Sequence, residues 1–336
     1  MERVMKLMNK YQPRNFQMLT HQSANNELLM NMTRGDNPPH ILIHGSSGSG
    51  RYTRVLLFLR EIYGNDVLNI SEERYKVELD NGNEIEITVR SSLHHVEFNP
   101  SVFGLRDRLV LQWLIDQTKV GPLKKTLVIP QADKLTRDAQ FAIRRAMETG
   151  SWRYIFITEN VSSVMRPLRS RFLDIRVESP TQPELIALLK YIRATENFEV
   201  SDSRIESIVN ANVGNFRTSL MSFFVYTVAN YETKPVWKTT CEEIIRTIVL
   251  SQSVDLISNF IRPKLSQLID LGIHPSLVLQ HLFRLCMSSN IDDLYKLGVI
   301  GIISKFDKTL TLGRNPWIHV ENCITALMTL FSALKQ

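Results

Sequence analysis

The stretch HILIHGSSGSGRYTRVLLFLREIYG, residues 40–64, decides the fold of the first part of the chain. Its apolar run at residues 41–43 predicts a buried strand, and the glycine-rich segment after it predicts a tight turn. Apolar side chains then recur at helical spacing across residues 55–62, and Gly64 stands where a helix is expected to end. A strand, a glycine turn and a helix in this order form the first unit of an α/β domain.

Strands and helices continue to alternate beyond this unit. Strands are predicted at residues 126–129, 152–158 and 172–177. Helices are predicted at residues 101–117 and after Thr136, whose hydroxyl can cap a helix. This alternation predicts a parallel sheet.

Residues 75–89 alternate apolar and polar side chains on both sides of a central Asn-Gly pair, which predicts a β-hairpin. Tyr75 and Val77 share a face with Ile85 and Ile87 only if the loop between the strands has an odd number of residues. A loop of three or five residues is therefore expected.

The 336-residue chain is long enough for about two domains with sizeable cores. Its hydrophobic content of 43% and charged content of 22% are typical of soluble globular proteins. No apolar run reaches the roughly 18 residues that cross a bilayer, so no membrane partner is expected. The three cysteines are odd in number and too far apart for a zinc site, which favours a reducing compartment.

The formal net charge is +6, and part of the basic excess is concentrated in residues 151–176. Only two acids, Glu159 and Asp174, accompany the five arginines of this stretch, which are Arg153, Arg166, Arg169, Arg171 and Arg176. A basic surface there would attract the phosphates of DNA or of a nucleotide. A solvated basic face explains the composition equally well.

The strand signals end at residue 180, and the remainder of the sequence is helical. The predicted organisation is an α/β domain at residues 1–180, a small helical domain at 181–233 and an all-helical domain at 234–336. A loop near Pro235 marks the second boundary.

The segment GSSGSGRY, from Gly45 to Tyr52, nearly fits the phosphate-binding loop G-x-x-x-x-G-K-[ST]. The glycines of such a loop let backbone N–H groups wrap phosphate oxygens at a helix N-terminus. The candidate nucleotide-binding residues are Gly45, Ser46, Ser47, Gly48, Ser49, Gly50, Arg51, Tyr52 and Thr53. A vestigial nucleotide site is favoured over a plain glycine turn, because a strand precedes the loop and a helix follows it.

Two positions of this loop depart from the motif. Arg51 replaces the lysine, which keeps the charge but changes the hydrogen-bonding geometry. Tyr52 stands where Ser or Thr would hold Mg²⁺, and its phenol is too long for that role. Thr53 comes one place late, about 100° further round the helix.

The stretch TLVIPQADKL, residues 126–135, lacks the acids of an ATPase at the end of its strand. An Asp that holds Mg²⁺ and a Glu that activates water are expected where the chain has Pro130 and Gln131. Hydrolysis at this site is expected to be negligible. Asp133 is a possible substitute, although its position favours the start of the turn into the next helix.

The motifs NKYQP, HILIHGSSGSGRYTR, ADKLTRDAQFAIRRAME, PLRSRF and GNFR occur in this order at suitable spacing. Together they resemble a replication factor C small subunit, an AAA+ clamp loader, over essentially the whole chain. The resemblance is to the end-of-ring subunit type. That type also carries a hairpin-like insertion, a following segment similar to LHHVEFNPSVFGLRDRLVLQ, and a degraded strand-end motif.

The resemblance implies a P-loop AAA+ domain followed by a helical lid and a helical collar. The collar would hold a hetero-pentamer of clamp-loader subunits, which loads a ring-shaped sliding clamp onto primer–template DNA. This chain would not hydrolyse ATP itself, and its loop would hold ADP or ATP, if at all, without Mg²⁺. Its location would be the nucleus in a eukaryote, and otherwise the cytoplasm or a viral replication site.

The resemblance also assigns single residues. Arg171 matches the arginine finger that acts in trans on a neighbour's ATP, with Phe172 in place of the family's cysteine. Arg217 in GNFR matches the lid arginine that senses nucleotide, although its role here could be structural alone. The polar sensor is either Glu159 or Asn160, and the sequence does not decide between them.

DNA contacts in this family come from helix N-termini and nearby basic residues that track one backbone strand. The candidates are Arg106, Arg108, Lys134 and Arg137. Each of them is also explained as an exposed charge at a helix end. The pair His94-His95 is expected on a strand surface rather than at a metal.

Two other functions remain compatible with the sequence. One is an autonomous AAA+ ATPase of the replication-initiator kind that uses Asp133. The other is a nucleotide-free scaffold in an alternative clamp loader or unloader, which the sequence does not separate from the first interpretation.

Overall fold

The structure is a computed structural model, and the residues that it describes are 2–35, 38–78, 84–117, 125–148, 152–229, 235–250, 253, 255–289, 293–310 and 315–333. The chain divides into two compact units, Met1–Tyr231 and Glu232–Gln336. The predicted border at residue 180 lies inside the first unit. The predicted border near Pro235 adjoins residues outside the described ranges.

Seven strands form one sheet in the first unit. They are β1 (Ile41–Gly45), β2 (Ser71–Glu78), β3 (Glu84–Ser91), β4 (His95–Glu97), β5 (Lys125–Ile129), β6 (Trp152–Thr158) and β7 (Leu173–Val177). Their spatial order is β2-β3-β4-β5-β6-β1-β7. In this order, the five neighbouring strands β4, β5, β6, β1 and β7 pair in parallel. Strand β3 pairs antiparallel with β2 and with β4. The predicted α/β fold with a parallel sheet is confirmed.

Ten α-helices belong to the described part of the first unit. They are α1 (Glu2–Lys10), α2 (Ser23–Thr33), α3 (Arg51–Tyr63), α4 (Pro100–Phe103), α5 (Asp107–Gln117), α6 (Arg137–Glu148), α7 (Arg166–Arg169), α8 (Gln182–Glu196), α9 (Asp202–Ala211) and α10 (Phe216–Ala229). The helix predicted within residues 101–117 is confirmed after Gly104, where it forms α5. Gly104, with a φ of 53°, separates α4 from the turn that leads into α5.

The central strands are continuous apolar runs because both faces of the sheet are covered. In β1, Leu42 packs into the core that contains α5 and α6 residues. Its neighbours Ile41 and Ile43 pack on the other face, with α2 and α3. All seven residues of β6 are buried.

The hairpin formed by β2 and β3 has the predicted register. Tyr75 pairs with Ile87 and Val77 pairs with Ile85. The last described pair joins residues 78 and 84, and the predicted loop falls on residues 79–83, outside the described ranges. The odd register is confirmed.

Strand β4 was not predicted, and the expectation that His94-His95 lies on a strand surface is wrong for His95. That side chain is fully buried, and its Nδ1 lies 2.5 Å from the hydroxyl of Ser92. The hydroxyl of Ser92 satisfies Nδ1 of this buried ring, whereas Nε2 has no hydrogen-bond partner among the described residues and lies 3.8 Å from Oε1 of Glu97.

Helices α8, α9 and α10 share a core of their own, to which α1 contributes Val4. Ser201 caps α9 through the Arg204 N–H, and a capping box at Thr181 and Glu184 starts α8. The predicted small helical domain at residues 181–233 therefore has its own apolar core, and the N-terminal helix covers part of it.

The second unit is helical throughout its described residues. Its α-helices are α11 (Val236–Leu250), α12 (Arg262–Asp270), α13 (Pro275–Ser288), α14 (Asp293–Leu310) and α15 (Pro316–Ala333), and a π-helical turn Ile257–Ile261 precedes α12. The three cysteines are fully buried in its apolar core. Within the described ranges, no helix is both long and apolar enough to cross a membrane.

The side chain of Arg54 on α3 is 1% exposed and lies beneath the glycine loop. Its guanidinium donates to the carbonyls of His21 (2.8 Å) and Ser49 (3.3 Å) and to Oδ1 of Asn26 (3.0 Å). Burial lowers the pKa of Arg54 to about 10. These acceptors compensate for the lost hydration of the cation, and they tie the loop to the N-terminal segment.

Replacing this cation tests how much the contacts contribute. We expect Arg54→Met to lower the free energy of unfolding by about 2–4 kcal/mol, because buried acceptors lose their donor. Arg60→Met is the matched control on the same helix, since its guanidinium bonds to exposed Asn65 Oδ1 (2.7 Å) and water can replace it. Denaturant unfolding measures both variants, and equal losses would contradict the role given to Arg54.

Candidate functional site

The glycine loop joins β1 to α3 in a conformation that favours glycine. Gly48 has a φ of 74° and Gly50 a φ of 90°, both in the left-handed region. A Cβ on Gly45 would lie 1.9 Å from the Val177 carbonyl oxygen of β7. No side chain caps the N-terminus of α3, so its first N–H groups face the loop without helical acceptors. This arrangement suits an anion.

The start of α10 packs directly on the loop. The Phe216 N–H donates to the Gly48 carbonyl at 3.0 Å, and a Cβ on Gly48 would lie 1.9 Å from Oδ1 of Asn215. Arg217, the next residue, is exposed and has no ion pair with any other described residue. Its backbone is thus held near the phosphate loop.

Arg51, in the place of the motif lysine, is already paired. Its Nη2 lies 3.0 Å from Oε1 of Glu159, which directly follows β6, and the Arg51 side chain is only 11% exposed. The neighbouring Asn160 instead caps the next turn by accepting from the Ser162 N–H at 3.0 Å. Of the two sensor candidates, Glu159 is therefore the residue that reaches the loop cation.

Tyr52 is turned away from any magnesium position. Its hydroxyl donates to Oε1 of Glu97 on β4, whose Oε2 lies 3.1 Å from Nη1 of Arg90. Burial raises the pKa of the Tyr52 phenol, and the Glu97 carboxylate raises it further. Burial acts to raise the pKa of Glu97, but the nearby His95, the hydrogen bond from Tyr52 and the charge of Arg90 lower it overall. The carboxylate therefore stays ionised as an acceptor for Tyr52.

The end of β5 offers no acid in the expected places. Pro130 has no carboxylate, and Gln131, with a φ of 58°, accepts from the hydroxyl of Ser101. Asp133 lies in a 3-10 turn, where its Oδ1 accepts from the Thr158 hydroxyl at 3.3 Å. Among the residues that the structure describes, no group of three or more His, Cys, Asp or Glu is placed to hold a metal ion. The donor set does not fit Mg²⁺.

Helix α3 also borders a cavity of about 120 Å³. Pro13 and Arg14 line it from the N-terminal segment, and Thr53 and Leu56 line it from α3. Pro13 belongs to the NKYQP motif, so this wall of the cavity had a signal in the sequence. The motif alone did not assign a binding role to these residues. Thr53 faces this cavity, one helical position beyond Tyr52.

Arg171 lies in the short segment between α7 and β7. Its Nη2 is 3.0 Å from Oε1 of Glu148, and Nη1 donates to the Pro167 carbonyl at 2.7 Å. Its side chain is 34% exposed. Phe172, in the place of the expected cysteine, is buried against Phe156 with ring centroids 4.5 Å apart. The segment that presents Arg171 is thereby anchored to the sheet.

The five arginines of residues 151–176 are not all exposed. Arg153 is buried, and its Nε donates to the Pro38 carbonyl at 3.1 Å. Arg169 is bound to Asp174 through two nitrogens. Arg166, Arg169, Arg171 and Arg176 are exposed, so the basic surface stays a prediction from which only the buried Arg153 is removed.

The four candidate DNA-binding residues are brought together by one hydrogen-bonded pair. The carboxylate of Asp107, at the start of α5, accepts from the N–H and the hydroxyl of Thr136, both at 2.7 Å, at the start of α6. Thr136 also accepts from the Ala139 N–H at 3.2 Å, so the predicted cap is confirmed. The exposed cations beside this pair are Arg106, Arg108, Lys134 and Arg137. Nothing in the sequence pattern singled out Asp107, which is fully buried.

The contact between the loop and α10 can be tested at Gly48. We expect Gly48→Ala to destabilise the first unit, because the new Cβ meets Asn215 and the left-handed backbone disfavours alanine. In an Asn215→Ala background the loss should shrink by about 1 kcal/mol or more, since contacting residues couple. Thermal unfolding of the four proteins measures this coupling, and strict additivity would mean that the two residues do not touch.

Comparisons with known proteins agree with this geometry. The family model described as "Replication factor C subunit 3, C-terminal domain" matches residues 237–335. The chain is 28% identical to the probable replication factor C subunit 3 of Dictyostelium discoideum, over 98% of this chain and 99% of that protein. It is 29% identical to replication factor C subunit 5 of Saccharomyces cerevisiae, over 95% of this chain and 98% of that protein.

The chain is also similar in fold to a solved structure. The Holliday junction branch migration motor RuvB of Thermotoga maritima superposes with a TM-score of 0.50 at 15% identity, covering 79% of this chain and 86% of that one. Such a likeness concerns the fold alone. The chain thus has an α/β AAA+ fold with a helical C-terminal domain, and over nearly its full length, at about 28% identity, it is similar to replication factor C small subunits of the subunit 3 and subunit 5 type.

Proposed function

We propose that this chain is a small subunit of a sliding-clamp loader, in which it helps to place the ring-shaped clamp on primer–template DNA. It does not hydrolyse ATP at its own loop. It supplies Arg171 in trans to the ATP site of a neighbouring subunit. One observation carries the proposal. The glycine loop leads into the uncapped start of α3, while Tyr52, at one magnesium position, donates to Glu97, and Pro130, at the other, has no carboxylate.

The loop itself fits the phosphates of ADP or ATP bound without Mg²⁺. The N–H groups of the first turn of α3 and the glycine backbone would bind phosphate oxygens. The cavity bordered by Thr53 and Pro13 lies along the same helix and gives room for the nucleoside. Arg217, at the start of α10, would lie beside the phosphates.

Arg171 has the properties of a residue that serves a neighbour. Its present partner, Glu148, is 55% exposed, and an exposed pair of this kind is worth only about 0.2–1 kcal/mol. The guanidinium can therefore leave Glu148 for the stronger charge of a neighbouring γ-phosphate at small cost. The anchored backbone at Phe172 limits how far its position varies.

The remaining surfaces fit the proposed partners. The cations beside Asp107 and Thr136 would bind the DNA backbone without reading its sequence. The helices of the second unit would form the collar that joins this chain to the other subunits of a hetero-pentamer. The relatives that are similar over nearly the full length come from eukaryotes, which favours the nucleus as the place of action.

An autonomous ATPase is the less favoured function. It would need Asp133 as a magnesium or water ligand, but this carboxylate accepts from Thr158 within a 3-10 turn. Turnover by the purified chain that Asp133→Asn abolished would support that alternative.

The finger role is tested in the reconstituted loader with Arg171→Ala. A trans-acting arginine is worth about 10³–10⁵ in rate, so the neighbouring site should lose nearly all of its turnover. The rate of clamp-stimulated, DNA-dependent ATP hydrolysis by the loader should then fall by the full amount that this neighbouring site contributes. The measurement is steady-state phosphate release with clamp and primer–template DNA present.

Arg144→Ala is the matched control, because its Nε lies 3.9 Å from the same carboxylate of Glu148. We expect this variant to retain the activity of the wild-type loader. Unchanged hydrolysis in Arg171→Ala would show that the finger is assigned to the wrong residue.

The DNA surface is tested by salt titration of the loader bound to primer–template DNA. Each phosphate contact contributes about 0.9 to the slope of log K against log salt. Replacing the four cations by alanine should therefore reduce the slope by about 2–4 units. The control replaces four exposed cations elsewhere in the same unit, Arg3, Lys6, Arg34 and Arg74. Equal slopes in the two variants would count against this surface.

A further inference from the structure

The ion pair between Arg51 and Glu159 places an acid inside the proposed phosphate site. Arg51 is the cation that the loop motif provides for phosphate, and its side chain is 11% exposed. Glu159 approaches it to 3.0 Å from the end of β6, and 56% of the Glu159 side chain faces solvent. A carboxylate thus holds the position that a phosphate oxygen would take on this guanidinium.

The surrounding loop leaves Arg51 as the main adjustable contact. The hydroxyl of Ser49 is turned inward onto the Ser46 carbonyl at 2.9 Å, and Ser49 is fully buried. Arg54 holds the carbonyls of Ser49 and Gly50 from below. The loop backbone is therefore fixed, whereas the Arg51–Glu159 pair can open, because one partner is half exposed.

We propose that Glu159 competes with phosphate for Arg51 and so sets the affinity and charge selectivity of the loop. The inference rests on the proposed nucleotide site and concerns how that site chooses its ligand. A ligand must displace the Glu159 carboxylate from the guanidinium of Arg51. The displaced carboxylate then repels the negatively charged ligand. A phosphate monoester carries only about 1.5–2 negative charges at neutral pH, so di- and triphosphates, which carry more, meet that requirement better.

Glu159 is thus a specificity-determining residue rather than a catalytic one. The ion pair keeps Arg51 satisfied when no nucleotide is bound, and it weakens binding of any ligand that arrives. Since Glu159 is solvated, its release from Arg51 costs little when a polyphosphate arrives. The loop therefore binds nucleotides weakly, but it selects ligands that carry a polyphosphate group.

The test is equilibrium binding of ADP to the full-length chain in EDTA, comparing wild type with Glu159→Gln. Glutamine keeps the size of the side chain but removes its charge. We expect Glu159→Gln to bind ADP about tenfold more tightly or better, as expected when one like charge leaves the site. Pyrophosphate should compete for the variant, and AMP should compete at least tenfold less well.

Glu148→Gln is a closely matched control. Glu148 is 55% exposed and lies 3.0 Å from an arginine nitrogen, as Glu159 does, but its partner is Arg171. This variant changes the net charge equally and should leave ADP binding at the wild-type value. An equal gain in both variants would overturn the proposal, because it would reflect overall charge alone. Thermal unfolding checks that every variant is folded.

The role of Arg51 is tested by combining Glu159→Gln with Arg51→Gln. If the two residues act through their ion pair, the gain from Glu159→Gln disappears when Arg51 is absent. A gain that persists in the Arg51→Gln background would overturn the competition, and so would an unchanged ADP affinity in Glu159→Gln. Either result leaves the clamp-loader function standing, because its tests depend on Arg171 and on the DNA surface.

Discussion

Burial of one positive charge constrains the first unit more than any other interaction. The guanidinium of Arg54 has no carboxylate partner among the described residues, and backbone carbonyls and Asn26 satisfy it instead. Such a cation stays buried only while all these acceptors keep their places, because an unsatisfied charge inside a protein is costly. The loop and the N-terminal segment are therefore fixed together. His21, whose carbonyl accepts from Arg54, extends the constraint through Nδ1, 2.9 Å from Glu184, to the start of α8.

The departures from an ATPase site are coherent rather than random losses. The large phenol of Tyr52 lies at the start of α3. Its hydroxyl would lack an acceptor without Glu97 on β4, to which it donates. Arg90, on the antiparallel strand β3, neutralises that carboxylate at 3.1 Å. The hairpin insertion thus supplies the charge that makes a tyrosine acceptable in the loop. Replacing Tyr52 with Ser or Thr would remove the hydroxyl that donates to Oε1 of Glu97, and the chain would still lack an acid at Pro130.

The sequence predicts those parts of the structure that depend on periodicity and on backbone conformation. Strand β6 coincides with its predicted residues, since a strand covered on both faces is a continuous apolar run. The glycine turn was equally predictable, because Gly48 and Gly50 have positive φ values. Strand β4 was missed, because it has only three residues and all of them are buried, although His95 and Glu97 are polar. The pair Arg51–Glu159, 108 residues apart in sequence, was also missed, since hydrophobic periodicity carries no information on which charges meet.

If the proposed function is correct, the geometry also gives a reason for a chain to keep a loop that hydrolyses no ATP. Arg171 precedes β7 directly, and β7 pairs with β1 up to the register Gly45–Val177, where the phosphate loop begins. Asp174 of β7 binds Arg169 on one side and lies 3.0 Å from Nε2 of His44, the residue before the loop, on the other. The turn that presents Arg171 and the strand that carries the loop are therefore one packed structure. On the proposed function, a change that disrupted the phosphate loop would also displace Arg171. A chain that supplies Arg171 to a neighbour's ATP site is therefore constrained to keep the fold of its own site.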